Sequence, residues 1–211
     1  MKNLLLVTAS LHGKHSRSVR LARELIELLQ DKLGRFHVTE RELGDGTIRH
    51  LSGEYLQAIS TAPIQRTPRQ KQLARVGDGL IEEVEAADVI VIAAPMYNFT
   101  IPSTLKSWFD HVARSGRTFR YTPEGRPQGL LKDKKVYVVE SRGGFYGGDS
   151  PANEPDFHEP YLKAMLGFIG LNDVSFVHVE GQDISPSEAQ AGVREAREVL
   201  ATLVMRPRVA A

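Results

Sequence analysis

Residues 89–99 read VIVIAAPMYNF. Five apolar residues, Val89 through Ala93, run into Ala94 and Pro95 and then into Met96, Tyr97, Asn98 and Phe99. A short unbroken apolar run of this kind reads as a parallel strand covered on both faces. In open α/β sheets, ligands lie just past the carboxyl ends of such strands. The 96–99 cluster therefore stands where a flat, partly polar ligand would rest. Pro95 holds the exit turn, because its φ is fixed and it cannot extend a central strand.

Outward from this stretch, strand and helix alternate. Residues 3–8 form a first apolar strand, and 18–33 place Leu21, Ala22, Leu25, Ile26, Leu28, Leu29 and Leu33 at helical spacing. Gly34 stops that helix. Residues 36–43 alternate and read as a second strand nearer an edge. The mixed 44–66 stretch holds a short helix at 54–59. Thr67-Pro68 is an N-cap followed by proline at the first helical position, opening a helix to Ala86. After the third strand, 89–94, Pro102 opens a helix to Ala113. The turn residues 123–125 suggest a small hairpin within 117–129. A fourth strand spans 135–140, a loop 141–156, a helix 157–169, a fifth strand 173–179 and a last helix 186–204. Five strands separated by helices predict an α/β fold, a doubly wound parallel sheet of order 2-1-3-4-5 in one domain over residues 1–211. The loops after the first, third and fourth strands converge at its switch point.

Composition narrows the function. The chain has 211 residues and a formal net charge of +1, which gives no electrostatic case for nucleic acid or a membrane surface. It contains no run of 18 apolar residues, so no spanning helix is expected. The start, MKNLLLVTAS, has too short an apolar part for a signal peptide and no credible cleavage site, so it reads as the first buried strand. The expected location is cytoplasmic. Cysteine is absent, which excludes disulfides, thiol nucleophiles and cysteine-ligated clusters. Redox chemistry would therefore need a bound cofactor.

The first loop, Ala9-Ser10-Leu11-His12-Gly13-Lys14-His15-Ser16-Arg17-Ser18, leads straight into a helix. Free N–H groups and the positive end of the helix dipole make an anion site there, to which Ser10, Ser16, Arg17 and Ser18 can add hydrogen bonds to a phosphate. Alone, the loop reads equally well as a serine-capped helix start. It is neither a P-loop nor a GxGxxG fingerprint. The fourth-strand loop begins Ser141-Arg142-Gly143-Gly144, where adjacent glycines admit a planar ligand and consecutive amides can face negative charge. Alone, it reads better as an ordinary glycine-rich loop. Taken together, the three loops describe one ligand with a phosphate at one end and a planar, hydrogen-bonding ring at the other. Flavin mononucleotide (FMN) fits that description.

The chain resembles the FMN-dependent NADH-azoreductases, also described as NADH:quinone oxidoreductases. The resemblance covers nearly its whole length. It rests on Ser10 with Ser16-Arg17-Ser18, on APMYNF at 94–99, on Lys106 and Asp110, on TFRYT at 118–122, on SRGG at 141–144 and on GFIG at 167–170. The resemblance implies a flavodoxin-like fold. It also implies that Ser10 and Ser16-Arg17-Ser18 bind the FMN phosphate, that Met96, Tyr97, Asn98 and Phe99 lie along the ring largely through backbone groups, and that Ser141, Arg142, Gly143 and Gly144 meet its pyrimidine edge. It further implies a homodimer with flavin sites at the interface, NAD(P)H as electron donor and a quinone or azo compound as acceptor. Local departures are Arg17, where a smaller or amide residue is expected, and a longer Gly147-Gly148-Asp149 segment.

Other residues carry less. The seven histidines form no metal-ligand spacing with nearby carboxylates, so no metal is expected, and His12 and His15 read as solvated loop residues. No GxSxG elbow exists, which argues against a hydrolase. Tyr97, Phe99, Phe119, Tyr121 and Phe145 are candidates to stack on flavin or substrate, whereas Trp108 reads as core or interface packing. The flavin does the redox step, and no side chain is required as acid or base. The rival readings are a one-electron flavodoxin-type carrier, which the net charge of +1 disfavours, and a flavin-free scaffold on the same fold.

Overall fold

A computed structural model describes residues 1–147 and 155–205. Its main sheet contains β1 (Lys2–Thr8), β2 (Phe36–Glu42), β3 (Val89–Pro95), β6 (Lys135–Ser141) and β7 (Asp173–Val179). The strands are all parallel, in the order β2-β1-β3-β6-β7. This is the expected 2-1-3-4-5 arrangement, with the 119–129 hairpin, β4 (Phe119–Tyr121) and β5 (Pro127–Gly129), set apart as a second small sheet.

The apolar run divides by strand periodicity into two cores. Val89, Val91 and Ala93 face one side with Leu4 and Leu6 of β1, under α1 (Arg17–Leu33) and α6 (Pro186–Met205). Ile90, Ile92 and Ala94 face the other side with Leu5 and Val7, under α3 (Pro68–Ala86), α4 (Ser103–Val112) and α5 (His158–Ile169). Every residue of β3 is buried, as a central parallel strand requires. The edge strand β2 is mostly exposed. Trp108 is fully buried against Phe109. Among the described residues, no helix is long and apolar enough to cross a membrane.

The elements match the sequence reading closely, and the few differences have local causes. Leu28 and Leu33 fall off the buried stripe of α1 and are exposed. The 54–59 helix is α2 (Gly53–Ser60). Thr67 does cap α3, and Gln70 closes a capping box with it. Pro102 is the N-cap of α4 and not its first residue, so the helix starts one position later than expected, at Ser103. Pro95 was expected to end the central strand, but β3 runs through it, with Pro95 paired to Ser141. The reason is directional. Ala93 O accepts from Ala9 N, whereas Met96 N donates to Ser141 O. The alternation turns the nitrogen of Pro95 toward β1, whose ladder with β3 has already ended at Thr8 and Ala93. No ladder bond is lost.

The GFIG segment closes α5. Gly170 is its left-handed cap, at φ 98°. A Cβ there would stand 2.5 Å from Leu131 O and 2.9 Å from the carbonyl carbon of Gly129 at the hairpin base. Gly170→Ala is expected to cost at least about 1–2 kcal/mol from backbone handedness alone, with the backbone contact adding to it. Urea denaturation would check this; a variant as stable as the parent would contradict it.

Candidate flavin site

The three loops at the carboxyl end of the sheet are tied together. Tyr97 Oη accepts from Leu11 N at 3.2 Å, joining the β3 loop to the β1 loop. Met96 N donates to Ser141 O at 2.8 Å, joining the β3 loop to the β6 loop. Ser10 is buried and its hydroxyl accepts from His12 N. A Cβ at Gly44 would lie 2.2 Å from Ser10 O, so the first loop rests directly on the backbone after β2. His12 and His15 are exposed, as expected.

The start of α1 is not closed by a side-chain cap. Ser16 occupies the N-cap position but its side chain accepts no cap hydrogen bond. The Ser16 and Ser18 hydroxyls instead lie 3.0 Å from one another, and both are buried. The first-turn amides of α1 are left without a side-chain acceptor. A buried helix start in that condition calls for an acceptor from elsewhere, and a phosphate supplies one. By contrast, α3 is fully capped by Thr67. The side chain of Arg17 lines a groove of about 340 Å³ between α1 and α6, together with Arg20, Glu24, Arg194 and Arg197. What Arg17 brings to the loop is its amide at the first position of the helix.

Residues 97–100 form a tight turn closed by Tyr97 N to Thr100 O (2.9 Å) and Thr100 N to Tyr97 O (3.2 Å). Its two central residues have positive φ, 49° at Asn98 and 70° at Phe99. A left-handed Phe is rare, and strain of this kind, of order 1–3 kcal/mol, gathers at functional sites. Phe157 N donates to Phe99 O and steadies the turn. Asn98 and Phe99 are exposed, and Met96 and Tyr97 are half-buried.

The 141–144 loop is zipped to the turn after β7. Arg142 N donates to Val179 O, and the carbonyls of Arg142, Gly143 and Gly144 accept from Gln182, Asp183 and Gly181. The amides of Gly143 and Gly144 have no acceptor among the described residues, which leaves two adjacent donors at the expected ring edge. A Cβ at Gly143 would stand 2.5 Å from Asp183 Oδ2, so a side chain there would have to displace that carboxylate. Gly148 and Asp149 of the longer segment lie outside the described residues.

The side chain of Arg142 turns away from the loop's free amides. Its guanidinium is buried in a cluster of carboxylates, at 2.5 Å from Glu140, 3.3 Å from Asp156, 3.4 Å from Glu180 and 3.6 Å from Glu159. A buried guanidinium needs such partners, and once satisfied by them its side chain is not free for a ligand. Its role is to support the loop from beneath; Glu180 also accepts from Tyr146 N, so one carboxylate braces both ends. The fold also gathers what sequence spacing did not reveal, placing donor atoms of Glu140, Glu159 and His178 within 4.8 Å of one another. Arg142 already sits against both of those carboxylates. The one sequence signal for this cluster was a glutamate, Glu140, ending an otherwise apolar strand.

His178 Nε2 lies 2.6 Å from Glu159 and 3.3 Å from Glu140. Burial opposes its charge, but hydrogen bonds to the two carboxylates carry its pKa up to about 9. The hydrogen bond from His178 pulls Glu159 down to about 2. A raised histidine pKa gives stability that is complete below its ordinary 6.5 and lost as pH rises through about 9. A lowered carboxylate pKa gives stability that is complete above its ordinary 4.5 and lost as pH falls toward 2. His178→Gln should therefore destabilise most near pH 6, and urea midpoints of variant and parent should converge by pH 10. A constant gap across that range would show that His178 acts by packing alone.

The order of the sheet and the three loops at its switch point define a flavodoxin-like protein. A family model described as flavodoxin-like fold matches residues 2–204. The chain is 42% identical over 204 residues to an FMN-dependent NADH:quinone oxidoreductase of Pseudoalteromonas atlantica, covering 97% of this chain and 98% of that one. It is 44% identical over 193 residues to one of Leptothrix cholodnii, covering 92% and 90%. The chain belongs to the FMN-dependent NADH:quinone oxidoreductase family of this fold. Among solved structures, an azoreductase from Bacillus anthracis superposes with a TM-score of 0.87 at 28% identity, covering 97% of this chain and 99% of that one. An FMN-dependent NADH-azoreductase from the same species, solved in complex with FMN, gives 0.82 at 25% identity, covering 97% and 100%.

Proposed function

We propose that this protein takes two electrons from NADH and passes them to a quinone or an azo compound, using FMN held by the three loops. The observation that carries the reading is the uncapped start of α1 with its two buried serine hydroxyls, in a loop whose Leu11 N bonds to Tyr97 of the strained 97–100 turn, which Met96 N in turn ties to Ser141 just ahead of the glycine pair. Bound FMN supplies the hydride and electron transfer. The chain supplies placement. Ser10, Ser16, Ser18 and the first-turn amides hold the phosphate; Met96, Tyr97, Asn98 and Phe99 lie along the ring; the amides of Gly143 and Gly144 face the edge where negative charge develops.

The reading includes a homodimer with shared sites. Phe99, Phe145 and Phe157 are 48%, 41% and 62% exposed beside the loops, an apolar rim suited to cover by a second copy. It includes a cytoplasmic location, and a ping-pong order. With the loops on one side of the ring, nicotinamide and acceptor must use the same open face, each approaching within about 3–3.5 Å of the reacting atom. They cannot occupy it together.

Acid release and chromatography of the cofactor should give FMN; mostly FAD would overturn the assignment. The purified protein should oxidise NADH without a partner reductase, which a one-electron carrier does not do. Double-reciprocal plots at several acceptor concentrations should be parallel. Intersecting lines would replace the ping-pong order with a ternary complex.

A further inference from the structure

The 141–144 loop rests on a buried ionic cluster whose formal charges do not balance. Four carboxylates, Glu140, Asp156, Glu159 and Glu180, face three cations, Arg142, Lys163 and protonated His178. One negative charge is left over among the described residues. That charge lies beneath the loop whose free amides face the ring edge, where further negative charge would be unwelcome.

His158 is the group without a role. It is fully buried in the first turn of α5, and neither ring nitrogen has a hydrogen-bond partner among the described residues. Its Nδ1 lies 3.7 Å from Oε1 of Glu140, and that oxygen is also buried without a hydrogen-bond partner. Buried polar atoms left unpaired cost about 1–3 kcal/mol each. Two of them facing one another just beyond hydrogen-bond distance form a site waiting for a proton. Protonation of His158 would make a charge-assisted bond to Glu140 and cancel the leftover charge. Burial keeps the ring neutral otherwise. Of the charged groups facing it, Glu140 and Asp156 favour the proton, while Arg142 and His178 oppose it.

We propose that Glu140 and His158 form a proton-accepting pair that takes up one proton from water when negative charge arrives on the ring held at the 141–144 loop. This rests on the flavin reading above. Bound FMN would supply the hydride chemistry. For each hydride it took from NADH, one separate proton from solvent would add to His158 Nδ1; when that hydride passed on to the acceptor, which draws its own further proton from solvent, the proton on His158 would return to solvent. Neither residue touches a reacting atom, so both act through charge and position.

The test uses the FMN-loaded protein, reduced electrochemically without oxygen at a series of pH values around 7. The slope of the midpoint potential against pH gives the protons taken up per two electrons. The parent is expected to take up one proton more than H158Q, whose amide can still bond to Glu140 but does not titrate. Nuclear magnetic resonance of ¹⁵N-histidine in the parent needs no variant: the His158 ring should be neutral in the oxidised protein and charged in the reduced one. Equal proton counts in the two proteins, or a ring that stays neutral on reduction, would overturn the proposal while leaving FMN binding intact. A protein that takes up no FMN at all would overturn both readings together.

Discussion

The Ser16→Ala, Ser18→Ala double variant is expected to lose about two to four decades of FMN affinity. A hydrogen bond to a charged group is worth roughly 1.5–3 kcal/mol, and two removed from one phosphate span that range if they add. The fold should hold, because the Ser16 side chain caps nothing in the first place. The double variant loses only the contact between the two hydroxyls, 3.0 Å apart in the parent, at a cost of about 1 kcal/mol. Titration of the apoprotein with FMN, followed by flavin fluorescence, reads the affinity, and urea denaturation reads the fold. An affinity within a few-fold of the parent would mean that the phosphate is held by backbone amides alone.

The largest effect on stability is expected at Arg142. Arg142→Met keeps much of the volume but removes the cation between Glu140 and three further carboxylates. Glu140 is fully buried, so the change strands a charge, and breaking a buried pair in this way costs about 3–5 kcal/mol. Urea denaturation at pH 8 checks this. A loss below about 1 kcal/mol at pH 8 would show that water or a rearranged neighbour satisfies Glu140 unaided.

The architecture was legible because its signals are local and periodic. The 89–94 run, the Thr67-Pro68 start and the Gly34 stop each declare an element by composition and dihedral preference, and the structure places all three as read. Pro95 was misjudged because a strand's tolerance of proline depends on which neighbour its nitrogen faces, a property of the sheet and not of the residue. The three loops that form the candidate site were legible as loops, and the sheet order brings them together, but the direction of each side chain was not. Ser16 looked equally like a cap, and only its bond to Ser18 separates the readings. Arg142, written beside two glycines, looked like a ligand contact, yet its partners Asp156, Glu159 and Glu180 come from segments up to 38 residues away. Electrostatic pairing over such separations leaves no periodic trace, and the two buried or half-buried histidines, His158 and His178, were hidden for the same reason.

The exposed strand β2 has a further consequence, for behaviour in concentrated solution. A sheet edge is a ready template for a neighbouring molecule, and an open, flat, apolar edge invites stacking into aggregates. β2 reads FHVTERE, and its second half is charged. Glu40 pairs with Arg23 of α1, and Arg41 with Glu83 of α3, one on each face of the sheet. Surface pairs of this kind add little to folding stability. Here they put charge along the border where another strand would have to dock, so the strand that contributes least to the two cores is the one that discourages edge-to-edge stacking of sheets.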